Sequence, residues 1–209
     1  MNILEILAKG GWVIIFIGIA SLVGLGIFIE RMIVLRKAKI NYSTFLMKLN
    51  HLLSKKNIKE ALFLCSETPG PIPKVMEKGI RMVGRSKEDI KEALEAAGSA
   101  EIFQLEKGLS VLGTIAGVAP LLGFLGTVTG MITAFMKIEE LGGNVNATVL
   151  AGGIWEALIT TAAGLMVGIP AMIAYNYLVN KVKHFVHGIE QSSQELLETL
   201  STLEEEKIQ

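Results

Sequence analysis

Ala119-Pro120-Leu121-Leu122-Gly123-Phe124-Leu125-Gly126-Thr127-Val128-Thr129-Gly130-Met131 is the stretch that decides how this chain folds. It lies inside an uncharged run of 29 residues, from Gly108 to Met136. A bilayer core takes roughly 20 apolar residues of helix, so the run reads as a membrane span rather than a buried soluble helix. Its composition is wrong for a surface that meets lipid alone: six glycines (108, 113, 117, 123, 126, 130), one proline and four threonines. Any large apolar side chain satisfies lipid tails, whereas neighbouring helices favour small residues that let backbones approach and hydroxyls that bond across. Gly113 and Gly117, then Gly126 and Gly130, recur at four-residue spacing on one helical face. Pro120 has no N–H for the carbonyl of Ala116 and predicts a kink. This helix is expected to pack on other helices, with Thr127 on its protein-facing side.

Two more spans flank it. The first is uncharged from Gly10 to Ile29, with Trp12 as an interfacial anchor and Glu30-Arg31 and Arg36-Lys37 as its stop. Glu5 ahead of the apolar run, and the length of that run, favour an uncleaved span over a signal peptide. The third occupies a 40-residue segment, Leu141–Asn180, whose only charged residue is Glu156. Forty residues exceed one crossing, so Gly142-Gly143-Asn144 is assigned to a loop. Basic residues cluster after the first and third spans (Arg31, Arg36, Lys37, Lys39; Lys181, Lys183), which places those flanks in the cytoplasm. The expected organisation is a periplasmic N-terminal end and first transmembrane helix over 1–36 and a cytoplasmic helical domain over 37–107. The second transmembrane helix covers 108–136, a short periplasmic loop 137–148, the third transmembrane helix 149–180, and a cytoplasmic C-terminal helix 181–209.

The polar part has helical periodicity. Phe45, Leu46, Leu49, Leu52 and Leu53, then Ile58, Ala61, Leu62 and Cys65, predict an αα-hairpin broken at Asn57. Pro69-Gly70-Pro71-Ile72-Pro73 ends it, and a short helix is expected over about 75–83, closed by Gly84. Ser86 reads as an N-cap before an acidic first turn, Glu88 and Asp89. From there one helix is expected to run through Gly108 into the second span, roughly 75 Å for residues 86–136. Val182, Phe185, Val186, Ile189, Leu196, Leu197, Leu200 and Leu203 form a stripe suited to a copy of itself or to the 86–107 helix.

The composition excludes several functions. Lys plus Arg and Asp plus Glu balance at 20 each, so net charge makes no case for nucleic acid. A single cysteine, Cys65, allows no internal disulfide and reads as a small buried hydrophobe. His184 and His187 lie three apart without a third ligand, and His51 reads as a surface residue, so no metal or cofactor is expected. There is no nucleophile–base arrangement and no phosphate loop, and the chain is not expected to be an enzyme. Glu156 is the residue that stands out. A charged residue such as Asp at mid-span costs roughly 2.5–3.5 kcal/mol on insertion scales, and such a residue marks an ion or proton path by default. The bland alternative is a carboxylate that sets helix register. Thr160 shares its face, and Thr161 adjoins it with Ala157, Gly164 and Gly168. One carboxylate per chain is a poor proton wire, so a ring of copies or a partner with a second titratable group is required.

Two segments resemble the ExbB/TolQ branch of the MotA/TolQ/ExbB proton-channel family. They are Ala119–Met131 and Gly153-Ile154-Trp155-Glu156-Ala157-Leu158-Ile159-Thr160-Thr161-Ala162-Ala163-Gly164-Leu165, followed by Ile169-Pro170-Ala171 and Tyr175-Asn176. The resemblance, closest to ExbB, implies an all-α membrane protein: a homopentamer around a central pore, each copy with three transmembrane helices and long cytoplasmic helical extensions. Two copies of a single-span ExbD- or TolR-like protein would sit in the pore, their aspartate facing Thr127 and Thr161; with Glu156 and Thr160, these are the expected proton-pathway and pore-lining residues. Pro120, Gly126, Gly130, Gly164, Gly168 and Pro170 would serve packing and kinks. The implied setting is the bacterial inner membrane, where protonmotive force would drive outer-membrane transport through a TonB/TolA-like protein. The alternatives are a TolQ-type envelope-maintenance motor, or a passive oligomeric scaffold for a single-span partner.

Overall fold

The computed structural model describes residues 11–38, 41–140 and 147–208, and every regular element among them is a helix. In chain order these are α1 (Val13–Lys37), α2 (Tyr42–Ser54), α3 (Ile58–Glu67), α4 (Pro71–Ile80), α5 (Lys87–Glu106), α6 (Leu109–Glu140) and α7 (Ala147–Ile208). Three helical stretches are long and apolar enough to cross a membrane, in α1, α6 and α7. The glycine-rich loop read over Gly142-Gly143-Asn144, and the residues ahead of Gly11, lie outside the described residues. The second helix does not stop at Met136 but keeps its ladder through Glu140. At about 1.5 Å per residue, the 62-residue α7 runs to roughly 90 Å. A hydrocarbon core is about 30 Å thick, so it takes only part of this helix.

The chain forms two compact units. One contains the described residues up to Glu30 together with Gly108–Tyr177. Here α1 lays Gly24 on Leu112 and Ile115 of α6, whose side-chain carbons lie 3.5–3.7 Å from where a Cβ would stand. Val13 and Ile17 are buried, while Leu22, on the opposite flank of α1, is 74% exposed and Phe16, at the edge of the buried face, is 53% exposed. Apolar residues this exposed, on a helix of this length, are what a lipid-facing surface requires.

The second unit comprises Arg31–Lys107 and the chain from Leu178 onward. Its core gathers Leu49 and Leu53 of α2, Ala61 and Cys65 of α3, Ile72, Val75 and Met76 of α4, Ile90 and Leu94 of α5, and Ile189, Leu196 and Leu200 of α7. The late stripe of α7 therefore packs against α5 and the α2–α4 helices of its own chain; the side chain of Leu203 lies outside the described set. A Cβ on Gly98 would stand 3.3 Å from Ile189, and the Asn50 amide donates to Glu195 at 2.6 Å. The helix starts follow the capping residues. Asn41 and Asn57 accept from the backbone N–H groups of Thr44 and Glu60. Ser86 and Asp89 form a reciprocal capping box, an arrangement whose cap alone contributes about 1 kcal/mol.

Two expectations are corrected. The helix after the Pro-Gly-Pro run starts at Pro71, not near Val75. Pro71 and Pro73 fall within the first three helical positions, whose N–H groups have no intrahelical acceptor, so proline loses nothing there. The long helix through Gly108 does not exist either. It breaks at Lys107 (ψ 128°) and Gly108 (φ +81°), because glycine takes the left-handed conformation that ends helices at little cost. Arg31 closes the end of α5 by donating from Nη1 to the Gln104 carbonyl at 3.0 Å, a cation at a helix C-terminus.

Cys65 is buried, and desolvation with the nearby Glu77 charge pushes its thiol up to about 12 from an ordinary 9.0. The unfolded thiol ionises first as pH rises, so this burial stabilises fully below pH 9 and the contribution fades between 9 and about 12. We expect a maleimide at pH 8 to label Cys65 only after denaturant is added. Rapid labelling of the native chain would show the α2–α4 core to be open.

Candidate functional site

The site is built on two complementary stripes of small residues in the first unit. On α6, Ala116, Ala119, Gly123, Gly126, Gly130 and Ala134 are buried; on α7, Ala157, Thr160, Gly164, Gly168 and Ala171 are. Spacings of three and four residues hold each set on one helix face. The backbones come close enough that side chains are excluded. A Cβ on Gly123 would stand 2.9 Å from the Thr160 carbonyl oxygen and 3.1 Å from the Thr161 Cα, and one on Gly130 3.2 Å from the Ala157 nitrogen. A Cβ on Gly164 would strike the Ala119 carbonyl, and one on Gly168 would strike the Pro120 ring. Pro120 lies within α6 and Pro170 within α7, where it is exposed.

This approach brings two hydroxyls together. Thr127 and Thr161, both half-buried, are in direct hydroxyl–hydroxyl contact across the helix pair. Thr161 Oγ1 also reaches the Gly123 carbonyl on α6 at 3.1 Å, and Thr127 Oγ1 the Ala157 carbonyl on α7 at 3.3 Å. Two hydroxyls carry two protons, so they cannot donate to both carbonyls and to each other at once. The pair therefore has more than one hydrogen-bonding arrangement at this spot, and each oxygen keeps lone-pair capacity for an incoming donor. Chemically it is a neutral, polar contact between two spans.

Thr160 and Glu156 behave differently. Thr160 is buried over Gly126 and donates back to the carbonyls of Glu156 at 2.8 Å and Ala157 at 3.0 Å on its own helix. Glu156 is half-buried, and its carboxylate lies against Gly11 in the turn ahead of α1. Among the described residues no hydrogen bond joins this carboxylate to Thr127, Thr160 or Thr161. Thr127 and Thr161 are thus brought together, Thr160 joins the packing stripe, and Glu156 stands on the neighbouring flank of α7. The backbone acceptors Gly123 and Ala157 and the contact with Gly11 were not singled out as site features in the sequence. Only the four-residue offset from Gly123 to Thr127 hinted at the first of them. No cluster of three metal-ligating side chains occurs among the described residues.

Comparison with known proteins agrees on one group. Residues 67–191 match the MotA/TolQ/ExbB proton channel family. The chain is similar to an ExbB homolog of Methanothermobacter thermautotrophicus, 30% identical over 190 residues that cover 90% of this chain and 67% of the relative. It is 41% identical to the biopolymer transport protein ExbB of Xanthomonas campestris pv. campestris over 109 residues, 49% of this chain and 43% of that one. The Tol-Pal system protein TolQ of Haemophilus influenzae is likewise 41% identical over 113 residues, 53% of this chain and 46% of its own. The chain spans two thirds of the first relative's length and less than half of the other two.

The stripe has a direct test. Gly123→Ala should destabilise the α6–α7 pair by about 1–3 kcal/mol, because the new methyl meets backbone that cannot yield. Gly117→Ala, with nothing within 4 Å of its Cβ position, should be neutral or mildly stabilising. Thermal unfolding in detergent reads the difference, and equal behaviour of the two variants would remove close packing as the reason for these glycines.

Proposed function

This chain belongs to the MotA/TolQ/ExbB proton channel family, and we propose that it is the channel subunit of an inner-membrane complex that turns protonmotive force into mechanical work. Five copies form a ring, α6 and the first part of α7 line its pore, and two ExbD/TolR-like single spans stand inside. The N-terminus is periplasmic; residues 37–107 and 181–209 are cytoplasmic. The partner's carboxyl takes a proton, moves past Thr127 and Thr161, and releases it on the other side. A TonB/TolA-like protein carries the movement outward.

The observation that carries this reading is the Thr127–Thr161 pair. It is a hydroxyl pair with spare accepting capacity, held by glycines where two spans meet. A protonated carboxyl can donate to either oxygen, and an ionised one can accept from either hydroxyl, so the pair solvates both states of a partner carboxylate. Energy suffices, since one charge crossing 100 mV releases roughly 2.3 kcal/mol, and a few protons drive a conformational step. Glu156 supplies the fixed charge beside this path. The ExbB and TolQ relatives match at the same identity over similar shares of the chain, so the proposal takes neither type over the other.

Thr127→Val and Thr161→Val keep side-chain volume and remove the hydroxyl. Each should abolish protonmotive-force-dependent movement of the partner, read by site-specific crosslinking, while the complex still assembles by native mass spectrometry. Glu156→Gln keeps size and hydrogen bonding without the charge, and should cut the same signal strongly. Full movement in both valine variants would leave these threonines to packing and favour a passive scaffold.

A further inference from the structure

The stripe that packs α7 on α6 runs through Ala157, Thr160 and Gly164. Glu156 lies at the edge of that stripe, about 100° round the helix from Ala157 and about 40° from Thr160. Its carboxylate is thereby turned toward the turn ahead of α1. There, Gly11 has φ +63°, and a Cβ added to it would run into Glu156 Oε1 and lie 3.4 Å from Glu156 Cδ. Among the described residues beyond its chain neighbours, those two carboxyl atoms are the ones it would meet within 4 Å. The other glycines of α1 differ: Gly18 and Gly26 face open space, and Gly24 makes ordinary contact with α6. So Gly11 is the glycine of the first span whose missing side chain makes room for the one carboxylate in the third.

We infer that Gly11 is a positioning residue for Glu156: its missing side chain leaves the space that the carboxylate occupies, and a Cβ there displaces that carboxylate. The functional part of this inference rests on the reading of Glu156 as a charge beside the proton path. It gives the first span a task beyond anchoring, since the turn that opens α1 sets where the third span presents its charge. Any L side chain at position 11 meets two obstacles, a backbone conformation that only glycine adopts readily and the carboxylate itself. A carboxylate pushed aside by about 1 Å stands to lose on the order of 10²-fold in rate where its geometry matters.

The two obstacles separate in a double-mutant cycle on the purified full chain. Backbone strain from Gly11→Ala is the same whether residue 156 is Glu or Ala, whereas the steric clash needs the carboxyl. Gly11→Ala should therefore lower Tm by about 1–2 °C more in the Glu156 chain than in the Glu156→Ala chain, because the carboxylate is the movable end of a flexible side chain. In membrane vesicles carrying the complex, Gly11→Ala should reduce proton flux by tenfold or more, on the order of what a misplaced group costs. Gly18→Ala should leave both readings unchanged. Gly11→Asn, which accepts positive φ more easily, repeats the cycle if the alanine variant does not assemble. Equal Tm losses in the two backgrounds would overturn the seat, whatever Glu156 does. Coupling in the cycle with undiminished flux in Gly11→Ala would overturn the positioning role. Full flux in Glu156→Gln would instead sink the reading of Glu156 itself, and the Tm cycle tells these failures apart.

Discussion

The close approach of α6 and α7 is the constraint on which the membrane-spanning unit depends. Lipid supplies no hydrogen bonds, so every hydroxyl within a span must find a partner in protein. Most threonines of α6 solve this locally. Thr114, Thr129 and Thr133 each donate to the carbonyl four residues earlier on their own helix, at 2.9, 3.1 and 2.9 Å. Thr127 alone among them reaches the facing helix, because Gly123 and Gly126 bring the backbone of α7 within range. Thr161 does the same in reverse through the Gly123 carbonyl. The glycines thus sort chemically equal threonines into surface residues that bond inward and a pair that bonds across.

The two units meet two solvents by opposite means. Around Leu49, Met76 and Leu94 the chain buries aliphatic side chains completely, at about 25 cal/mol per Å² removed from water, and caps its helix starts with asparagine and serine. In the spans, large residues such as Leu121, Phe124 and Met166 stay outside and the small ones go in. That inversion is physical rather than accidental. Between helices in lipid the gain comes from dispersion contacts and hydrogen bonds, which grow as backbones approach, not from escape from water. α7 serves both regimes along one unbroken helix, with small residues buried in its first half and the leucine stripe in its second.

Function follows from what these two regimes leave available. A neutral hydroxyl pair can pass or receive a proton but cannot hold a charge, and Glu156 can hold a charge but is bonded to neither hydroxyl. The division is what the proposed function, with its mobile titratable group on a partner, would use. The carboxylate's surroundings also bring α1 into the arrangement, which a purely anchoring helix would not require.

Much of this was legible in the linear sequence. Uncharged runs of sufficient length declared three spans, since insertion into lipid depends on composition and length alone, and Asn57 and Ser86 announced helix starts because capping is local chemistry. The small-residue faces of α6 and α7 could be read from spacing, as could the family from Ala119–Met131 and Gly153–Leu165. Several features could not be read that way. Helical periodicity does not register a backbone that turns left-handed at Gly108, and prolines looked like a break at residues 71–73 although a helix start has no need of their N–H groups. The stripe at Val182–Leu200 fitted two partners equally well, and only tertiary packing chose the chain's own α2–α5 helices. Thr127 and Thr161 stood 34 residues apart, and the resemblance grouped them without saying that they touch. Gly11 and Glu156 are farther apart still. Spacing along one helix says which residues share a face; which face of another helix arrives opposite, and how closely, is decided only when the backbones pack.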